Sequence, residues 1–288
     1  MTPLVLALDT VGWHDIVNFD NYGELLPIVR NSLIAGAVLG LVGGLISVMV
    51  ITRDLPFAVH GISELSFAGA SGALLLGASV VVGSFVGSLI ASLALGVLGM
   101  RARDRNSIIG VLMPFGLGLG ILFLALYHGR AANKFGLLTG QIVAIDNTSL
   151  TVLLVTAAAV SVVLLTIWRP LLFASVDPEV AAARGVPVRF LGPFFVLVLG
   201  CTVAISIQVI GALLILTLLV TPAAAALQVT ASPVKVPLLA MAFAFVSMVG
   251  GILLATGTSI PISPYVTTLS FAIYVVCRVI GRLTPSRR

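Results

Sequence analysis

The chain has 288 residues, 59% hydrophobic and 9% charged, with a mean hydropathy of +1.22. Ten acids and fifteen bases cannot coat a water-soluble globule of 29.7 kDa, since soluble domains are about 45–50% apolar and about 25% charged. A cytosolic enzyme is therefore excluded, and so is a disordered chain, which needs low hydrophobicity and high charge. The net charge of +5 and pI near 9.8 come from bases scattered singly along short loops. That pattern fits a membrane topology bias and not a nucleic-acid partner.

Apolar stretches fall in chain order at 25–51, 55–76, 78–98, 107–127, 149–168, 190–207, 209–229, 236–255 and 265–280. Each approaches the ~20 residues of a bilayer-spanning helix, not the ~10-residue alternation of a membrane barrel. The fold expected is an all-α polytopic membrane protein with about nine transmembrane helices, eight to ten being compatible with the tight junctions near residues 77 and 208. Residues 1–24 form an acidic leader, 25–281 a single transmembrane domain, and 282–288 a basic tail. No basic n-region precedes the first apolar run, so no cleaved signal peptide is read.

If the polar loop at 169–189 is cytoplasmic, twelve of the fifteen bases fall inside and only Arg30, Arg130 and Lys134 outside. This positive-inside bias places the leader outside and the tail in the cytoplasm. Two further segments are neither plain span nor plain loop. Residues 135–145 are apolar but too short to cross, which suits a re-entrant or interfacial segment. Near 177–185, Asp177 reads as an N-cap, Pro178 as the first helical residue, Glu179 as a complement to the helix dipole, and Gly185 as the stop after Arg184. Glycine pairs at helical spacing (Gly36 and Gly40, Gly83 and Gly87, Gly116 and Gly120) mark close helix packing.

No Walker A sequence, nucleophile elbow or zinc-protease motif is present, so the chain has no ATPase or catalytic site of its own. Cys201 and Cys277 read as small buried hydrophobes. His14 and His128 read as solvated loop residues at the outside edge, with a weak role in receiving an ion as the alternative. One ionisable pair is different: His60 and Glu64 lie four residues apart inside the second apolar stretch, on one helix face. Imidazole plus carboxylate is a ligand set for divalent transition metals, and an intramembrane carboxylate marks a transport path by default. A structural ion pair is the alternative, and the residues alone leave both open.

The sequence resembles the membrane subunits of bacterial zinc/manganese-type ABC importers. The resemblance rests on NSIIG at 106–110 with its glycine-rich continuation, LTG at 138–140, VDPEVAAARGVPV at 176–188 and VIGALLILTLLVTPAAAA at 209–226. It implies a large-importer permease fold in the bacterial inner membrane, acting as a homodimer. It further implies two cytosolic ATPases docked at the coupling helix (Asp177, Pro178, Glu179, Arg184, Gly185) and an extracytoplasmic metal-binding protein. The transported ion would be Zn²⁺ first, Mn²⁺ next, with no permanently bound cofactor. The family's second span usually carries an Asp and, four residues on, a His as ion ligands; the matching positions here are His60 and Glu64, reversed in order and with Glu for Asp. The stretch at 256–264 lacks the acidic residue common before the family's last span. A proton-coupled secondary carrier and a permease for metal chelates are the competing readings.

Overall fold

The computed structural model describes residues 22–98, 102–129, 136–138, 140, 145–258 and 260–283. Twelve α-helices and one 3₁₀ turn account for nearly all of them: α1 Tyr22–Ile28, α2 Arg30–Thr52, α3 Pro56–Leu75, α4 Val80–Leu98, α5 Ala102–Leu126, α6 Asn147–Val176, α7 Pro178–Ala183, α8 Val188–Ile210, the 3₁₀ turn Ala212–Leu214, α9 Ile215–Leu219, α10 Thr221–Val229, α11 Lys235–Thr256 and α12 Ile262–Leu283. No strand occurs among the described residues. Helix is the form expected where lipid offers the backbone no hydrogen-bond partner.

Among the described residues, seven helices are long and apolar enough to cross a membrane: α2, α4, α5, α6, α8, α11 and α12. The 20-residue α3 is not among them, and its content of His60, Glu64 and three serines explains why. With α3 and the broken segment α9–α10, the bundle agrees with the expected number of passes.

The form of the seventh pass differs from the continuous helix expected over 209–229. Instead α8 runs on to Ile210 and stops at Gly211, whose φ is +75°. The chain then makes the 3₁₀ turn, α9, a second break at Val220 and α10. Gly211 is required there twice over. Its φ is disfavoured for other residues, and a Cβ would overlap the Leu138 carbonyl. Gly140, with φ +78°, approaches the same break, 2.6 Å separating a Cβ there from the Val209 oxygen. Ser263 at the start of α12 donates to Ile210 O at 3.3 Å. The first turn of the last span thus braces the interrupted helix. Most of the segment at 135–145 and all of 1–21, which includes His14 and most of the leader, lie outside the described residues.

Local chemistry sets the ends. Asp146 caps α6, accepting from Ser149 N at 3.2 Å and Thr148 N at 3.3 Å. A hydrogen bond from the Ser149 side chain, more than these two backbone bonds, holds its carboxyl below the usual carboxylate range. α2 ends in a Schellman motif: Asp54 N donates to Ile51 O at 3.1 Å and Leu55 N to Val50 O at 2.9 Å. Asp54 takes the left-handed position at φ +54°. Pro56 then opens α3, where its missing N–H costs nothing.

α2 and α8 form the centre, buried over 72% and 67% of their spans, whereas α5 and α12 are buried over only 22% and 17%. The apolar outer faces of the latter, including Phe115 and Phe271, suit contact with lipid. Apolar burial gives little association energy between helices already in hydrocarbon, so close packing must supply it. Hence the glycine contacts: Gly40 of α2 meets the α11 backbone, a Cβ there falling 2.8 Å from Phe245 Cα.

Candidate metal path and docking element

α3 lies between α4 and α5 and also touches α8, α9 and the 3₁₀ turn. Gly87 of α4 lies directly on the Leu65 carbonyl, and a Cβ on Gly116 of α5 would stand 2.9 Å from the Glu64 carbonyl carbon. Ser66 Oγ donates to Ser84 O at 2.8 Å. Glycines of α4 and α5 therefore fix the rotation of α3 from two sides, and with it the direction of the one face bearing His60 and Glu64.

Glu64 sits about 12 Å along a helix about 30 Å long. Its side chain is 4% exposed, that of His60 27%, and His60 Nε2 stands 3.7 Å from Glu64 Oε1. That is too long for a hydrogen bond, and Glu64 Oε2 has no hydrogen-bond partner at all. A buried carboxylate oxygen left without a partner is costly. An ion bound by both groups at bond lengths near 2.1 Å with a tetrahedral angle needs donor atoms about 3.4 Å apart. The observed spacing is within a few tenths of an ångström of that. The spacing of the two side chains therefore fits a divalent cation. Among the described residues no group of three or more His, Cys, Asp or Glu comes together, so the pair is not part of a closed cage there.

His128 is exposed at the far end of α5 and does not join the pair. Cys201 and Cys277 are free cysteines, the latter buried. Neither lies in a ligand cluster among the described residues.

At the other candidate element, Asp177 Oδ1 accepts from Val180 N at 3.0 Å and Pro178 begins α7. Arg184 is the C-cap and Gly185, at φ +82°, completes a second Schellman motif, with Val186 N donating to Ala181 O at 3.0 Å and Gly185 N to Ala182 O at 3.0 Å. Only Ala181 is buried; Pro178, Glu179, Val180 and Arg184 face outward. The helix is thus fully capped and presents a free surface.

Sequence reasoning treated Arg53 only as one more base on a loop. The structure gives it a specific seat: Nη1 donates to Ser175 Oγ at 3.0 Å and Cζ lies 6.0 Å from the Phe195 ring centroid. Its position between two apolar runs, just before Asp-Leu-Pro, was the available signal.

Comparison with known proteins agrees with the motifs. The model of the ABC 3 transport family matches residues 26–281. The manganese transport system membrane protein MntC of Halalkalibacterium halodurans is 30% identical over 78% of this chain and 77% of its own length. The high-affinity zinc uptake system membrane protein ZnuB of Haemophilus influenzae is 24% identical over 88% and 97%. Among solved structures, PsaBC from Streptococcus pneumoniae in complex with Fab contains a chain that superposes with a TM-score of 0.79 at 22% identity, covering 91% of this chain and 99% of that one. The resemblance read from the motifs and the all-helical fold are both supported, and the chain belongs to the ABC 3 transport family.

Proposed function

We propose that the chain is the membrane permease of an ATP-dependent importer of a divalent transition metal ion, zinc first and manganese next. The observation that carries this reading is the His60–Glu64 pair, with its unpartnered carboxylate oxygen on a buried helix face. Relatives named for manganese and for zinc transport support the class of ion without ranking the two. Affinity order favours zinc over manganese at nitrogen/oxygen sites generally.

In this reading His60 supplies one nitrogen and Glu64 one carboxylate oxygen, and water or backbone carbonyls complete the shell. A second copy of the chain would contribute the same pair across a homodimer axis. Two ligands per chain suit a conduit, because a four-ligand cage holds its ion too firmly to release it. Glu64 supplies the fixed negative charge that a dication needs away from water. The chain itself would not hydrolyse ATP. Asp177, Pro178, Glu179, Arg184 and Gly185 would form the docking element for a separate cytosolic ATPase, and an extracytoplasmic metal-binding protein would deliver the ion. The chain would lie in the bacterial inner membrane, N-terminus outside and C-terminus in the cytoplasm.

The test is uptake of radiolabelled Zn²⁺ and Mn²⁺ into proteoliposomes holding the permease, its ATPase and the binding protein. Uptake that requires ATP hydrolysis supports the importer. Uptake that proceeds without the ATPase and follows an imposed proton gradient supports the secondary carrier instead.

A further inference from the structure

The two helices that α7 joins, α6 and α8, are tied to the corner before α3 by one side chain. Ser175 stands in the last turn of α6, two residues before Asp177. Its hydroxyl donates to Leu171 O at 2.6 Å, leaving its oxygen to accept from Arg53 Nη1 at 3.0 Å. Gly192 and Phe195 lie in the first eight residues of α8. The Arg53 guanidinium carbon is 6.0 Å from the Phe195 ring centroid, and Nη2 lies 3.4 Å from where a Cβ on Gly192 would stand. One planar group therefore touches the helix entering α7 and the helix leaving it.

The corner that carries Arg53 is stiff. The Schellman bonds at Asp54 and Leu55 fix the end of α2, Leu55 is 3% exposed in the core, and Pro56 starts α3 at once. His60 follows Arg53 by seven residues. Any displacement of the ends of α7 that moves Ser175 or Phe195 pulls on a rigid unit whose other end bears His60 and Glu64. Lysine can replace this contact only in part, since it keeps the charge and N–H donors but lacks the planar fork of arginine.

We propose that Arg53 is a positioning residue that links movement of the α7 element to the orientation of α3, so that ATP hydrolysis is coupled to passage of the ion. This rests on the importer reading above. A contact bridging two moving parts is evidence of coupling only when removing it changes the coupling itself, so the experiment measures ions transported per ATP hydrolysed.

The complete transporter in proteoliposomes is assayed with radiolabelled Mn²⁺ and Zn²⁺ for wild type, Arg53→Gln, Arg53→Lys and Ser175→Ala, with the exposed Arg189→Gln as control. Arg53→Gln is expected to lower the ion-to-ATP ratio about tenfold, within the usual range of coupling between sites. Arg53→Lys and Ser175→Ala should fall between, while ATPase assembly and melting temperature stay at wild-type values and Arg189→Gln keeps the full ratio. An unchanged ratio in Arg53→Gln overturns the proposal, and so does an uptake loss that only parallels lost assembly or stability. Should Arg53→Gln not fold, Ser175→Ala decides by the same criteria. Absence of ATP-driven uptake in the wild type would instead overturn the importer reading.

Discussion

Around Glu64, α3 is held by its neighbours: Gly87 of α4 rests on the Leu65 carbonyl and Gly116 of α5 on the Glu64 backbone. α7, by contrast, is held by its own ends, with Asp177 at one and Gly185 at the other, and buries only Ala181. The first arrangement suits a site that must exclude bulk water and fix two ligands. The second suits a surface meant to be covered by another protein. Substitutions at the packing glycines of the first region should therefore unfold the protein, whereas those on α7 should cost function without unfolding.

The largest effect is expected where α4 packs on α3. Gly87→Leu puts a side chain onto backbone that cannot yield, so destabilisation should reach about 3 kcal/mol or more. Thermal melting and size exclusion in detergent should show little folded protein. A stable Gly87→Leu variant would mean that α3 and α4 separate more readily than the structure implies.

At α7 the reverse is expected. Glu179→Lys with Arg184→Glu changes two exposed side chains and no cap bond from a side chain, so stability should stay within about 0.5 kcal/mol. Uptake should nevertheless fall severalfold and co-purification of the ATPase should weaken. Unchanged uptake with the ATPase still bound would show that α7 is not the docking element.

What was legible in the sequence follows the same division. The α7 caps are local, Asp-Pro at one end and Gly at the other, so Asp177, Pro178 and Gly185 could be placed from spacing alone. Long apolar runs gave the spans, and His60 with Glu64 stood out because ionisable groups are scarce at membrane depth. The break at Gly211 was not legible. Val-Ile-Gly-Ala reads as continuous helix, and what stops it is tertiary: the Leu138 and Gly140 backbone and the Ser263 hydroxyl arriving from distant segments. Arg53 was marked by its place between two apolar runs, but its partners were not legible for the same reason, since Ser175 and Phe195 lie more than 120 residues away.

The smallest effect is expected at the start of α6. Bonds from Ser149 and Thr148 lower the Asp146 pKa, so its stabilising contribution is complete above the ordinary carboxylate value near 4 and disappears as pH falls through the lower folded value. Asp146→Ala should cost about 1 kcal/mol, measured as a lower melting temperature at neutral pH that converges with wild type under strong acid. An equal deficit at every pH would show that the charge plays no part.

The central claim, that Glu64 and His60 carry the ion, is tested most directly by radiolabelled Zn²⁺ and Mn²⁺ uptake in the complete transporter with protein levels matched. Glu64→Gln should reduce uptake at least about tenfold, equivalent to ~1.4 kcal/mol on the barrier. Glu64→Asp should retain part of the activity, and His60→Ala should weaken uptake while shifting preference toward Mn²⁺, because oxygen ligands suit that ion better. Wild-type uptake in the His60→Ala, Glu64→Gln double variant would contradict the account and leave the pair a structural one.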